Sequence, residues 1–166
     1  MTKLTGRLDD DRRTLVLTRQ FDVPAEQLWT NFTDPDRLER WFGAWTGDPA
    51  SGQVMLTMNA EAESVPAVPC RILHCDRPRR LSVTVTDSFG TWQLAIGFDE
   101  DEGSTRLTLR HEEVDLQTVP EVGPGWEWYL DRLTAAVAGE APPTLEDFVD
   151  TYAPMGQDYA VMISGS

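Results

Sequence analysis

Between residues 14 and 111 the apolar and polar side chains mostly alternate, which is the pattern of β-strands with one buried face. The alternation is clearest over residues 81–86 and 92–98, where apolar residues occupy every second position. Four further segments are rich in β-branched and apolar residues and have the length of strands: residues 14–21, 53–58, 68–75 and 105–111. Because strands joined by short turns pair in antiparallel fashion, the pattern predicts an antiparallel sheet of about six strands.

Two short helices are predicted after the first of these strands. Pro24 and Pro35 each suit the first turn of a helix, where the missing N–H of proline is not needed. Leu28, Trp29 and Phe32 have the spacing of one apolar face on the first helix. The two helices therefore interrupt the strands before the sheet continues.

A long helix is predicted over residues 123–139. Trp126 and Leu130 begin an apolar stripe at helical spacing that continues to the end of this segment. Pro124 suits the first turn, and Gly139 suits a left-handed C-terminal stop. A helix this apolar on one side needs a large surface to pack against. The chain therefore predicts an α+β fold, in which a curved antiparallel sheet wraps around a long C-terminal helix and leaves a cavity between them.

Polar segments separate and flank these elements. Residues 1–11 are expected to be an exposed lead-in, residues 43–52 a loop, residues 60–65 a connection and residues 87–90 a turn. We assign residues 1–139 to one domain. Residues 140–166 form a C-terminal extension with enough apolar side chains that we expect it to pack on the domain or on a neighbouring subunit, which would make a homodimer possible.

Composition and charge narrow the range of partners. The 166 residues carry 14 basic and 28 acidic side chains, a formal net charge of −14 that repels nucleic acid and anionic membranes. We find no apolar run long enough to span a membrane and no secretory signal core at the N-terminus. Cys70 and Cys75 have an odd separation on a predicted strand, so we expect them on opposite faces and unbridged. These observations favour a cytoplasmic protein.

Two groups of residues follow the order and spacing of a known family signature. The first group is Phe21-Asp22-Val23-Pro24-Ala25-Glu26-Gln27-Leu28-Trp29, Thr33-Asp34-Pro35, Leu38 and Trp41-Phe42, and the second is His111-Glu112-Glu113, Gly125-Trp126, Leu130 and Leu133. Together they resemble the activator-of-heat-shock-protein-90-ATPase homologue-like family over residues 12–139. That family belongs to the SRPBCC superfamily, which shares the helix-grip fold of START domains and the birch pollen allergen.

The resemblance implies a deep and mostly apolar cavity between the sheet and the long helix. Members of the superfamily include lipid carriers, polyketide cyclases or aromatases, and hydroxylase subunits. Aromatic and aliphatic side chains with few polar groups are what a site for an apolar ligand requires. The residues that we predict to bind the ligand are Trp41, Trp92, Leu94, Phe98, Leu109, His111, Trp126 and Leu130.

His111 is the polar member of this set. It shares a strand face with Leu107 and Leu109, so we expect its side chain to point inward. Two roles are open for it. It could hydrogen-bond the ligand or act as a general acid or base at the cavity mouth. Alternatively, it could be a structural histidine whose hydrogen bonds go to nearby backbone.

No motif of established chemistry accompanies these residues. His74, Cys75 and His111 lack the close spacing of a metal site, and no phosphate loop, dinucleotide fingerprint or nucleophile elbow occurs. We therefore predict no metal and no cofactor. The function that we predict is binding of an apolar or aromatic small molecule. The alternatives are an enzyme of the polyketide cyclase or aromatase type, with His111 as its base, and a stress-response protein that interacts with a chaperone.

Overall fold

The computed structural model describes residues 4–58, 66–87 and 90–165, and within these residues the chain forms one antiparallel sheet of eight strands. The strands lie side by side in the order β1-β2-β8-β7-β6-β5-β4-β3. Their bounds are β1 Gly6–Leu8, β2 Leu15–Phe21, β3 Ala44–Thr46, β4 Gln53–Thr57, β5 Val68–Asp76, β6 Arg80–Asp87, β7 Gly90–Asp101 and β8 Ser104–Glu112.

The register of the strands gives the sheet one continuous apolar face. Leu17 is paired with Leu109, Leu109 with Ile96, and Ile96 with Leu81, so one row of aliphatic side chains crosses four strands. Paired residues point to the same side of a sheet. Two positions further along each strand, the next apolar residues form a second row on that same side. This inner face is the surface on which the helices pack.

Three helices cover the inner face: α1 (Ala25–Thr33), α2 (Pro35–Glu39) and α3 (Val119–Ala138). Asp34 separates the first two and caps α2, because its carboxylate accepts a hydrogen bond of 3.0 Å from the backbone N–H of Asp36. Gly139 ends α3 with φ of 74°, a left-handed conformation that glycine adopts without strain. The predicted α+β helix-grip fold, with two short helices after the first long strand, is therefore confirmed.

The sheet has two strands more than the six that the sequence predicts. β1 lies within the segment expected to be an exposed lead-in, and β3 lies within the segment expected to be a loop. Each contains three residues, which is too short for an alternation to be recognised. Both are edge strands, so tertiary pairing with one neighbour defines them.

The long helix also begins earlier than predicted. Val119 and Pro120 form its first turn, after a single 3-10 turn over Leu116–Thr118. Pro124 therefore lies inside the helix, where it has no N–H to donate to the carbonyl of Pro120. The prediction that Pro124 opens the helix is wrong, because Pro120 takes that position one turn upstream.

The chain after Gly139 turns back and packs on α3 and β1. It forms α4 (Leu145–Asp147), a π-helical turn over Phe148–Tyr152, a 3-10 turn over Ala153–Met155, and α5 (Gly156–Ser164). Thr144 and Asp147 cap α4 reciprocally, as a capping box. The hydroxyl and ring of Tyr159 fill a slot between Gly6 and Gly123, where a Cβ on either glycine would collide with the tyrosine.

A buried carboxylate joins this C-terminal segment to the rest of the molecule. Glu127 of α3 is 2% exposed and accepts hydrogen bonds from the Tyr159 hydroxyl at 2.5 Å and from the Arg19 guanidinium at 3.0 Å. The backbone N–H and hydroxyl of Thr5 also donate to it. Burial by itself raises the pKa of Glu127, but these hydrogen bonds outweigh burial and lower the pKa below its ordinary value. Glu127 is therefore ionised and fully solvated by protein groups.

The prediction that Cys70 and Cys75 lie on opposite faces of the sheet is wrong. A β-bulge between Ile72 and His74 shifts the alternation by one residue, so that Cys70 pairs with Val85 and Cys75 with Leu81 on the same inner face. Four residues of strand lie between the two cysteines, so their Cα atoms are about 15 Å apart. This distance is too long for a disulfide, and both cysteines are free.

Some sequence predictions cannot be compared with the structure. The connection at 60–65, the centre of the turn at 87–90 and the first three residues of the lead-in lie outside the described residues. Among the described residues, no helix has the length and apolar character needed to cross a membrane.

The hydrogen bond between Tyr159 and Glu127 can be tested by replacing Tyr159 with Phe, which removes the hydroxyl and keeps the ring. We expect the free energy of unfolding to fall by about 2 kcal/mol, because a buried hydrogen bond to a charged group is lost. The matched change Tyr152→Phe removes a hydrogen bond to Asp131, whose side chain is 40% exposed. Water can replace that bond, so we expect a loss below about 1 kcal/mol. Urea unfolding measures both values, and equal losses would contradict the special role of Glu127.

Candidate ligand cavity

A cavity of about 380 Å³ lies between the inner face of the sheet and helices α1, α2 and α3. Its position follows from the fold, because α3 packs on β2, α1 packs on β7 and β8, and α2 packs beside the edge strand β3. Apolar side chains from all three helices and from six strands line it. A volume of this size is within the range of small-molecule sites in proteins.

The helix side of the cavity is aromatic. Its rings come from α1, from the turn after α2 and from α3, and they are Trp29, Phe32, Trp41, Phe42 and Trp126. Neighbouring rings contact one another. Phe32 and Trp41 do so edge to face, with 5.1 Å between their centroids, and Phe42 stacks on Trp126. The indole N–H of Trp41 donates to the backbone carbonyl of Asn31 at 2.9 Å. These contacts hold the rings in place against the helices.

The sheet side is mainly aliphatic and follows the inner row of the strands, with Trp45 of β3 as an aromatic exception. Val83 and Val85 of β6, Leu94 and Ile96 of β7, and Leu109 of β8 all line the cavity. Each is an alternate residue of its strand, so the opposite face carries the polar neighbours. The alternation seen in the sequence therefore provides this wall.

Polar groups are few on the cavity wall. Of the described residues that line it, the polar or charged ones are Thr33, Cys70, Cys75 and Arg77. The hydroxyl of Thr33 donates to the carbonyl of Trp29 at 3.1 Å, so it serves the helix itself. Burial raises the pKa of the Cys70 thiol to about 11, which keeps it protonated and unreactive at neutral pH. Chemically, the wall offers burial of apolar surface and little acid–base capacity.

Five of the eight residues predicted to bind the ligand lie on the cavity wall: Trp41, Leu94, Leu109, Trp126 and Leu130. Phe98 does not, because its ring packs under α1 against Trp29, with 5.2 Å between the centroids. Trp92 and His111 stack on each other, with 5.0 Å between their centroids, and they too are absent from the wall. The ligand-binding role of all eight stays a prediction.

The side chain of His111 points inward, as predicted, and is 5% exposed. Its Nδ1 accepts a hydrogen bond of 3.2 Å from the indole N–H of Trp126, so the proton of the neutral ring is on Nε2. Burial lowers the pKa of His111 to about 4, and the ring is neutral near pH 7. The hydrogen-bond partner of His111 is therefore Trp126, a residue of the cavity wall. The hypothesis of a structural histidine expects hydrogen bonds to nearby backbone instead.

Several wall residues are not in the predicted set of eight. Val83 and Val85 carry a clear signal, since they alternate with polar residues on one strand. Cys75 and Arg77 carry no such signal. The bulge in β5 turns Cys75 inward against the simple alternation, and Arg77 lies in the turn after β5, where alternation makes no prediction. Trp29 and Phe32 are recognisable as a buried helix face, but the sequence does not show that this face also borders a cavity.

Within the part of the chain that the structure describes, no three histidine, cysteine or acidic side chains are grouped so that they could hold a metal ion.

Comparison with known proteins gives matches to one family and one fold. The family model described as "Activator of Hsp90 ATPase homolog 1-like protein" matches residues 22–138. The crystal structure of CalU16 from Micromonospora echinospora is 26% identical, with a TM-score of 0.74 over 97% of this chain and 96% of that one. The solution structure of the protein encoded by gene BPP1335 of Bordetella parapertussis is 25% identical, with a TM-score of 0.73 over 96% of this chain and 94% of that one.

A more distant structure shares the fold alone. DynU16, a protein in the dynemicin biosynthetic locus, is 17% identical, with a TM-score of 0.66 over 78% of this chain and 49% of that one. Among the curated proteins, no sequence matches.

The neutral state of His111 predicts a defined pH dependence of stability. The unfolded imidazole takes up a proton near pH 6.5, whereas the folded one does so only near pH 4. Because the folded pKa is the lower one, we expect the free energy of unfolding to fall as the pH drops from 6.5 to 4. The loss is at most about 1.4 kcal/mol per pH unit.

Urea unfolding of the natural protein and of His111→Gln over this pH range measures the effect. Other titrating groups contribute equally to both proteins, so the difference between them isolates His111. Glutamine keeps a carbonyl acceptor for the indole of Trp126. A difference that does not change with pH would show that His111 is not held neutral by burial.

Proposed function

The chain belongs to the activator of Hsp90 ATPase homolog 1-like family, within the SRPBCC superfamily, and we propose that it binds an apolar or aromatic small molecule in the cavity between its sheet and its helices. The family resemblance read from the sequence is thereby confirmed, and the SRPBCC fold is generally one that binds small molecules. That this chain binds a molecule in its cavity, and that the molecule is apolar or aromatic, are both parts of the proposal.

The observation that carries the proposal is a cavity of about 380 Å³ whose wall is almost entirely aromatic and aliphatic. Removing apolar ligand surface from water contributes about 25 cal/mol per Å², before the cost of immobilising the ligand is subtracted. The aromatic side and the aliphatic side face each other, so a flat ring system between them can contact both. Because the walls are rigid, few side chains lose conformational freedom when a ligand binds, and this reduces the entropic cost of binding.

The second hypothesis, an enzyme of the polyketide cyclase or aromatase type, receives less support from the site. Such an enzyme needs an acid or base that reaches the substrate. Nδ1 of His111 is engaged by Trp126, and His111 is not among the described residues of the cavity wall. The likeness to DynU16 shows the fold alone, so it adds no argument about a reaction.

The remaining expectations stay predictions. They are the chaperone-interacting role through the acidic surface, the possible homodimer, the cytoplasmic location, the exclusion of nucleic acid and membranes as partners, and the division of the chain at residue 139. The acidic net charge of −14 is the observation that supports the exclusion of anionic partners.

The proposal is tested with the neutral fluorescent probe N-phenyl-1-naphthylamine and a variant that fills the cavity. Val83→Trp places a large ring on the wall, and we expect it to weaken probe binding by about tenfold or more, because the space is occupied. The control Thr84→Trp adds the same side chain to the next residue of β6, which points to the opposite face. We expect it to leave probe affinity unchanged.

Native mass spectrometry of the freshly purified protein complements the titration, since a co-purifying compound would reveal its chemical class. Thermal unfolding of both variants verifies that they are folded at the assay temperature. Equal probe affinity for the natural protein and a folded Val83→Trp variant would refute binding in this cavity.

A further inference from the structure

The cavity wall carries a formal charge at one place among its described residues. Of the described residues that line the cavity, Arg77 is the one with a formal charge. It follows β5 directly, in the turn before β6, and its side chain is 62% exposed. The guanidinium therefore lies where the apolar wall meets solvent, at the opening of the cavity.

The bulge in β5 determines which residues at the end of this strand face inward. Without the shift between Ile72 and His74, alternation would turn His74 and Asp76 inward. With it, Cys75 faces inward, and Arg77, the first residue after the strand, also lines the cavity. Asp76 is not among the described residues of the cavity wall, so this end of β5 places no carboxylate there.

Arg77 is held across the opening by a residue of α1. Its Nε donates to Oε1 of Glu26 at 2.5 Å, and its Nη2 contacts the same oxygen. A guanidinium has five N–H donors, so the pair leaves other donors of Arg77 available. Glu26 itself is not among the described residues of the cavity wall, so a ligand in the cavity meets the cation of this pair before the anion.

The other basic residues of this region lie off the cavity wall. Arg79 follows Arg77 in the turn and Arg80 begins β6, but neither is among the described residues that line the cavity. The chain has a formal net charge of −14, so an anion is repelled by most of the molecule. The cation on the cavity wall is a local exception that attracts an anion to this place.

We propose that the ligand is an aromatic amphiphile with a single acidic group, whose ring system fills the cavity and whose anionic group binds Arg77 at the opening. This assignment rests on the proposed function of the cavity. The apolar wall recognises the ring system, and the free N–H donors of Arg77 recognise the acidic oxygens. A cationic ligand is disfavoured, because the wall presents a cation to it and no described carboxylate.

Two probes share one ring system but differ in charge, so they separate the contribution of the charge to affinity from that of the rings. N-Phenyl-1-naphthylamine is neutral, and 1-anilinonaphthalene-8-sulfonate adds one anionic group to it. We expect Arg77→Gln to weaken the binding of the sulfonate by about threefold to fivefold, the range of a solvent-exposed ion pair. The neutral probe should bind both proteins with the same affinity. Added salt should weaken the sulfonate complex of the natural protein more than that of the variant.

Two further variants control for net charge and for the competing carboxylate. Arg79→Gln changes the net charge by the same amount as Arg77→Gln but alters a residue outside the cavity wall, so we expect no effect on either probe. Glu26→Gln removes the counterion of Arg77 and should strengthen binding of the sulfonate without changing the neutral probe.

The outcomes distinguish this inference from the function on which it rests. If the neutral probe fails to bind, or binds a folded Val83→Trp variant equally well, the proposed function fails and the ligand class fails with it. If the neutral probe binds in the cavity but Arg77→Gln leaves sulfonate affinity unchanged, the inference alone is overturned. Equal effects of Arg77→Gln and Arg79→Gln would also overturn it, because net charge would then explain the result.

Discussion

The buried carboxylate of Glu127 is the group on which the arrangement of the molecule depends. An ion without water is destabilising unless protein groups replace its solvation. Donors from Thr5, from Gly6 of β1, from β2 and from α5 do so here. Arg19 also contacts Asp131 at 3.2 Å, one helical turn further along α3. Because residues 127 and 131 are fixed toward β2, the rotation of α3 about its axis is fixed as well. Trp126 and Leu130 then line the cavity.

The cavity stays open because its large side chains are engaged elsewhere. Trp126 donates to His111, and Trp41 donates to the carbonyl of Asn31, so turning either indole into the space would leave buried polar groups without partners. Phe42 stacks parallel to Trp126, with 6.3 Å between the centroids. A cavity bounded by anchored rings is preorganised for a ligand, which lowers the entropy that binding must overcome.

The C-terminal segment supports this wall without reaching the cavity. Arg132 of α3 donates to the carbonyl of Trp41 at 2.9 Å and to that of Pro143 at 2.6 Å, so it connects a wall residue to the start of the segment. The indole N–H of Trp128 donates to the carbonyl of Thr144 at 2.9 Å. No described residue of the segment lines the cavity. Its contribution is to hold α3 from the side away from the ligand.

The sequence by itself determined the fold class, the family and the end of α3 at Gly139, because alternation, helical spacing and a glycine stop are local signals. It also predicted that Trp126, Leu130 and Leu94 border the cavity and that the side chain of His111 points inward. Only the tertiary structure decided the rest. β1 and β3 exist through pairing with a neighbour, and the bulge in β5 reversed the face of Cys75. Phe98, Trp92 and His111 face the same way as the wall but pack beside it, since contacts between distant elements decide which inward side chains border a space and which fill it.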